Sequence, residues 1–223
     1  MPGVLVASSP PGGQPCWGGA GDVISVYRSD ITASGVVNGN GFYQVAMQLN
    51  PGTSSSQAGE DPWAVALATP LWEGASIVAI YQAPTGTVSL YDAPLAATTW
   101  GGVGGLGYTL PLPAPTPPGV TLTKWDSIAA DGQHGTSRTA MGSVSDETTV
   151  INGIPVAGPG SPYVDSDFNG GDSTPLPSLW DTTGHAISFP PGTPALMVAN
   201  ASAGGGLPTD CITGVANVVR SFP

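Results

Sequence analysis

Positive charge is the scarcest property of this 223-residue chain. Arg28, Lys124, Arg138 and Arg220 are its only Lys and Arg residues, against 15 acidic ones, giving a net charge of −11. A phosphate backbone is bound by rows of Lys and Arg, so nucleic-acid binding is not expected. Attraction to anionic lipid is disfavoured for the same reason. Charge of either sign is sparse, at 9% of residues against about 25% in ordinary domains. Long apolar runs are missing too. Nothing approaches the roughly 18 residues that cross a bilayer as a helix, so no membrane insertion is expected. The opening Met1-Pro-Gly-Val-Leu-Val-Ala7 has neither a basic start nor a long apolar core and does not read as a signal peptide. The expectation is a mature or excised sequence behind an initiator Met.

Cysteine is nearly absent, with only Cys16 and Cys211. Neither has a Cys or His neighbour at metal-ligand spacing. Near opposite ends of a Lys-poor chain rich in Gly, Ser, Thr and Asn, the two suit a disulfide formed in an oxidising compartment, with two unrelated buried thiols as the alternative. Such a bridge closes about 195 residues and removes loop entropy worth roughly 5 kcal/mol from the unfolded chain. The expected location is extracellular, secreted or on the cell surface, and reduction is expected to loosen the termini first.

Glycine and proline are abundant, at 33 and 24 residues, yet 40% of the chain is apolar and six residues are Trp. That leaves enough apolar surface to bury, so the Gly and Pro read as turn punctuation rather than disorder. Strand-like segments recur between the turns at 22–28, 41–49, 63–68, 75–82, 87–92, 120–125, 147–151, 195–200 and 215–222. The rhythm predicts an all-β fold, an antiparallel β-sandwich of jelly-roll-like form with little helix, built as one domain over 1–223. Segment 41–49 alternates, which gives it one apolar face. Segment 75–81 is apolar nearly throughout and reads as a central strand covered on both faces. Turns are expected at Asn38-Gly-Asn-Gly41 and Pro84-Thr-Gly86. Weak helical candidates lie near 124–130 and 178–183. The Pro-rich stretch 111–118 is expected to form a polyproline II connection between the two halves of the domain.

The succession Tyr27-Arg-Ser-Asp-Ile-Thr32, Asn38-Gly-Asn-Gly-Phe-Tyr43, Gly74-Ala-Ser-Ile-Val-Ala-Ile-Tyr81 and Val88-Ser-Leu-Tyr-Asp92 carries a family likeness, continued by Ile151-Asn-Gly153 and Leu179-Trp-Asp181. Over roughly residues 22–181 the chain resembles an uncharacterised β-rich domain of secreted prokaryotic surface proteins, without that domain's usual opening strands. The resemblance implies location and fold rather than chemistry.

The most specific local motif is Asp165-Ser-Asp-Phe-Asn-Gly-Gly-Asp172. Its Asp-x-Asp-x-Asn-Gly alternation is the spacing at which oxygen ligands converge on calcium, with Gly allowing the sharp turn. The twelfth position is Leu176 and not the bidentate Glu of a full loop, so Asp172 or Asp181 is the candidate for the missing carboxylate. The candidate ligand set is therefore Asp165, Asp167, Asn169, Asp172 and Asp181, against a plain Asx-rich turn needing no ion. Asp131, His134 and His185 form a weaker candidate metal set if their loops converge. Gly171-Asp-Ser173 with Asp181 and His185 resembles a serine hydrolase only superficially, because its members crowd into one short segment and no Gly-x-Ser-x-Gly elbow is present. No acid/base pair stands out among Glu60, Asp61, Glu73, Glu147 and the Asp cluster. Trp63 and Trp100 lie in loop-like contexts suited to stacking on sugars.

Together these features favour an extracellular structural or adhesive surface module over an enzyme. Its predicted strands carry almost no Lys, so their edges are open to pairing with self or with other surface proteins, as in a filament or surface layer. A carbohydrate-binding module acting on polysaccharide is the alternative, and a secreted hydrolase ranks below both.

Overall fold

Alternation of side-chain character decides how the strands of this chain lie. In the strand Ala195–Ser202, Leu196, Val198 and Asn200 are buried while Met197 and Ala199 face solvent, the two-residue period of a sheet with one covered face. The same beat runs through Gly107–Pro111, where Tyr108 and Leu110 point inward. The computed structural model describes residues 2–9, 23–46, 54–55, 71–72, 74–81, 86–92, 107–112, 122–130, 147–158, 167–168, 180–202 and 212–222.

Within them the strands are β1 (Val4–Ser8), β2 (Ser25–Arg28), β3 (Ser54–Ser55), β4 (Leu71–Trp72), β5 (Thr87–Asp92), β6 (Gly107–Pro111), β7 (Leu122–Ala130), β8 (Glu147–Ile151), β9 (Ile154–Ala157), β10 (Trp180–Ile187), β11 (Ala195–Ser202) and β12 (Thr213–Phe222). Two four-stranded antiparallel sheets dominate, in the orders β10-β7-β12-β5 and β6-β11-β8-β9. Two-stranded pairs β1-β2 and β3-β4 accompany them, the second parallel. The only helical element among the described residues is the 3-10 turn Thr32–Ser34.

The two large sheets face each other as a β-sandwich, because one core draws on both. Trp125 and Ala129 of β7, Ile187 of β10 and Val219 of β12 pack with Tyr108 and Leu110 of β6, Ile151 of β8 and Leu196 and Val198 of β11. Burying side chains of this size contributes roughly 1.5–3 kcal/mol each. Phe168, Phe189 and Ile212 complete the cluster from outside the strands. The β8–β9 hairpin turns on Asn152-Gly153, both at positive φ (49° and 81°), the pair favoured in tight two-residue turns. Asn152 also fastens the hairpin to β11, its Oδ1 accepting from the Met197 N–H at 2.7 Å.

The predicted strands at 87–92 and 147–151 match β5 and β8, and those at 22–28, 120–125, 195–200 and 215–222 fall on β2, β7, β11 and β12. The helical candidates at 124–130 and 178–183 are overturned, since β7 covers the first and β10 enters the second. The expected central strand at 75–81 is overturned as well. No strand forms there, and Ile80 and Tyr81 are 54% and 63% exposed. Its continuous apolarity was compatible with burial on both faces, but β7, β12, β11 and β8 hold the central sheet positions. Residues 41–46 likewise form no strand and lie exposed; Tyr43 bonds back to the Gly39 carbonyl in a local turn. The strand expected at 63–68 and most of the Pro-rich stretch lie outside the described residues. Pro111 ends β6, and the Leu112 N–H bonds to the Pro194 carbonyl at 2.9 Å.

Candidate functional site in the sandwich interior

The inward rows of the sandwich pass from apolar to polar along their strands, with Ala129 of β7 a buried apolar exception beyond Ser127. On β10 the order is Ile187, His185, Thr183, Asp181; on β7 it is Trp125, Ser127; on β12 it is Val219, Asn217. Opposite them, β11 runs from Leu196 through Val198 to Asn200, and β8 from Ile151 to Thr149. The ladders place these positions side by side: Thr183 is opposite Ser127, Ser127 opposite Asn217, and Asn200 opposite Thr149. One end of the interior is therefore a dry core, and the other is a buried polar layer.

That layer ties the sheets together. Tyr108 Oη donates to Asn217 Oδ1 at 2.8 Å across the sandwich, and Trp125 Nε1 donates to the same oxygen at 2.9 Å. Burial pushes the Tyr108 phenol up to about 12, against the lowering effect of its bonds with Ser127 and Asn217. Asn200 Nδ2 donates to Thr149 Oγ1 at 2.8 Å. Near the surface Tyr91 of β5 donates to the Pro111 carbonyl of β6, a further tie between the sheets.

Asp167 enters this layer from the segment preceding β10. Its Oδ1 accepts from Thr183 Oγ1 and from His185 Nε2, both at 2.7 Å. The His185 ring is stacked on Trp125, with centroids 6.0 Å apart and planes 15° from parallel. Burial alone would raise the Asp167 carboxyl, but hydrogen bonds from His185, Thr149 and Thr183, with the charge of His185, outweigh it and hold the group below the ordinary carboxylate value. Its other oxygen, Oδ2, has no hydrogen-bond partner. Asn200 Oδ1, Asn217 Nδ2 and Arg220 Nε are in the same position.

Of the predicted calcium ligands, Asp167 faces inward onto β10, and Asp181 is a buried β10 residue opposite Ala129. Asp165, Asn169 and Asp172 lie outside the described residues, as do Cys16, Cys211, Trp63, Trp100, Asp131, His134 and Ser173. Among the described residues no group of three or more His, Cys, Asp or Glu side chains is placed to hold a metal. Among the described residues, the point of contact between the motif and the weaker histidine candidate is the Asp167–His185 pair. Sequence reading paired His185 with Asp181 or His134. The structure gives it Asp167, with Nε2 committed to that carboxylate.

Thr149, Ser127, Asn200, Asn217 and Tyr108 were not singled out from the sequence. The available signal was parity: Ser127 and Asn217 keep step with the buried apolar residues of their own strands. Chemically the arrangement fixes and orients an ionised carboxylate inside the sandwich. A nucleophile and an oxyanion pocket are not part of it among the described residues. No family model and no curated protein matches this chain.

Proposed function

We propose that the chain is an extracellular structural module that associates with further copies of itself through the outer edge of β10. The supporting observation is the contrast between β10 and the other margins of the two sheets. The β9 edge is four residues long and contains Pro155; the β6 edge is five and ends in Pro111. At β5, Asp92 is held by Arg28 of β2, whose Nη1 reaches both carboxylate oxygens at 3.0 and 2.8 Å. Short strands, prolines and ion pairs are the devices that stop sheet edges from pairing with a neighbour. The β10 edge has eight residues, no proline and no Lys or Arg, and its outward side chains between Trp180 and the inward Ile187 are Thr182, Gly184 and Ala186.

Strand addition uses such an edge, with main-chain bonds giving affinity and side chains giving selectivity. The apolar stretch 75–81 adds exposed Ile77, Val78, Ile80 and Tyr81 beside it, since Ser76 accepts from Trp180 Nε1 at 2.8 Å and Gly74 leaves no room for a methyl against the Trp180 ring. An exposed apolar strip rimmed by polar residues is the usual mark of an association surface. Secretion fits the Lys-poor, weakly charged composition and the likeness to surface-protein domains.

Sedimentation of the full chain over a wide concentration range tests the reading. Mass is expected to rise with concentration, and the Thr182→Lys/Ala186→Lys pair, which places charge on the edge, is expected to return it to that of a monomer, 22.2 kDa for the unaltered chain. A wild type that stays monomeric at the highest concentration, or an assembly that ignores both lysines, refutes it.

A further inference from the structure

We infer that Asp167 Oδ2, Asn200 Oδ1 and the Thr149 hydroxyl form an interior site for one hard cation of the calcium type, between the two sheets and independent of any assembly through β10. Three observations converge on it. The Asp167 side chain is 6% exposed and Asn200 is 1% exposed, yet each keeps one oxygen without a hydrogen-bond partner. Thr149 borders both: its Oγ1 accepts from Asn200 Nδ2 at 2.8 Å, and its hydroxyl is among the neighbours that lower the Asp167 carboxyl. The two orphaned atoms are both acceptors, so neither satisfies the other, and only a species attracted to oxygen lone pairs satisfies both.

Charge favours a cation in that role. A buried carboxylate is stable only when paired or metal-bound, and the imidazole of His185 engages Oδ1 and leaves Oδ2 unanswered. The described basic side chains are engaged elsewhere: Arg28 with Asp92, and Lys124 and Arg220 with Asp126 on the outer face. A carboxylate, an amide carbonyl and a hydroxyl are an all-oxygen set, the preference of calcium rather than of zinc or copper. His185 Nε2 donates to Asp167 and is thereby removed from the ligand set. Asp167 also stands at the centre of the Asp-x-Asp-x-Asn-Gly alternation, a spacing found where oxygen donors gather on calcium.

The test is thermal unfolding of the full chain, stripped with a chelator and then titrated with calcium, with magnesium and sodium alongside. At a hundredfold excess over Kd, a site confined to the native state raises the midpoint by about 5–10 °C. Each variant is read against its own calcium-free midpoint. Asn200→Ala is expected to lose most of the rise, and Asp165→Asn/Asp172→Asn to keep most of it. If Asn200→Ala does not fold, Asn200→Asp, of equal size and with one more charge, is expected to bind calcium about tenfold more tightly. No calcium response in the wild type, which would mean that water alone satisfies these oxygens, overturns the inference. So does a response abolished by the Asp165/Asp172 pair and untouched at Asn200, or an Asn200→Asp variant that binds no better.

Discussion

Replacing Asn217 by Ala removes one acceptor that two buried donors share across the sandwich. Trp125 Nε1 and Tyr108 Oη both end on Asn217 Oδ1, at 2.9 and 2.8 Å. Trp125 is fully buried and its indole N–H bonds to Asn217 alone among the described residues, so the loss of that acceptor costs the desolvation of a stranded donor, about 1–3 kcal/mol. Tyr108 keeps its bond with Ser127 and loses an ordinary hydrogen bond, about 0.5–1.5 kcal/mol. The cavity left by the amide adds to this, and removal of the unpartnered Nδ2 returns about 1 kcal/mol. The net cost is about 2–4 kcal/mol, or a midpoint lower by about 5–15 °C for a chain of this length. Tyr108→Phe is the internal comparison: Asn217 Oδ1 remains served by Trp125, so the loss is about 1 kcal/mol. Urea unfolding followed by Trp fluorescence measures both. A cost below about 1 kcal/mol for Asn217→Ala, or one no larger than that of Tyr108→Phe, refutes the claim that this amide holds the sheets together.

Three further outcomes follow from the same interior and its outer face. The Tyr108 phenol ionises at about 12 when folded and near 10 when unfolded, so between those values the unfolded state has lost a proton that the folded state keeps. Stability is expected to fall by about 2–3 kcal/mol over that window in the wild type and not in Tyr108→Phe, as read by denaturation against pH. Asp167 has the opposite sign: its folded value lies below the ordinary one, so its contribution is complete above about pH 4 and is lost as pH falls through the folded value. In chelator, Asp167→Asn is expected to be less stable than the wild type at pH 7 and to converge with it in acid; parallel curves would count against the pairing. On the outer face, a methyl at Gly184 overlaps Asp126 Oδ1, which pairs with Lys124 at 3.0 Å, while Arg220 holds Oδ2 at 2.7 Å. Gly184→Ala is expected to lower stability by about 1–2 kcal/mol and to blunt its salt dependence, and a neutral result would show that the carboxylate moves freely.

The all-β character was legible because turn residues and β-branched runs act locally, and the strands at 87–92 and 147–151 could be placed to the residue. Two kinds of segment misled. Residues 75–81 are as apolar as a central strand, and periodicity alone cannot say whether an apolar run meets its own core or something outside the chain. Residues 178–183, with Gly184 soon after, lack a continuous apolar beat, because the inward positions Asp181, Thr183 and His185 of β10 are polar. A sheet face that buries polar groups carries no hydrophobic period to detect.

The same fact explains why the site was half legible. The spacing of Asp165, Asp167 and Asn169 marked the segment as a place where oxygens gather, but the partners of Asp167 come from β8 and β10, and only the ladder registers bring Thr149, Asn200, Thr183 and His185 to one level. Polar residues at inward positions weaken a core unless each is answered by a partner from the opposite sheet. Tyr108 with Asn217 is such an answer, and Asp167, from outside the strands, answers Thr183 and His185 of β10; these pairings specify how the layers stack, since a slip of one residue turns the strand groups to solvent and buries Met197 or Thr182 in their place. The polar layer thus sets the register of the sandwich, and the oxygens left over after that pairing, Asp167 Oδ2 and Asn200 Oδ1, are the ones free to take a ligand.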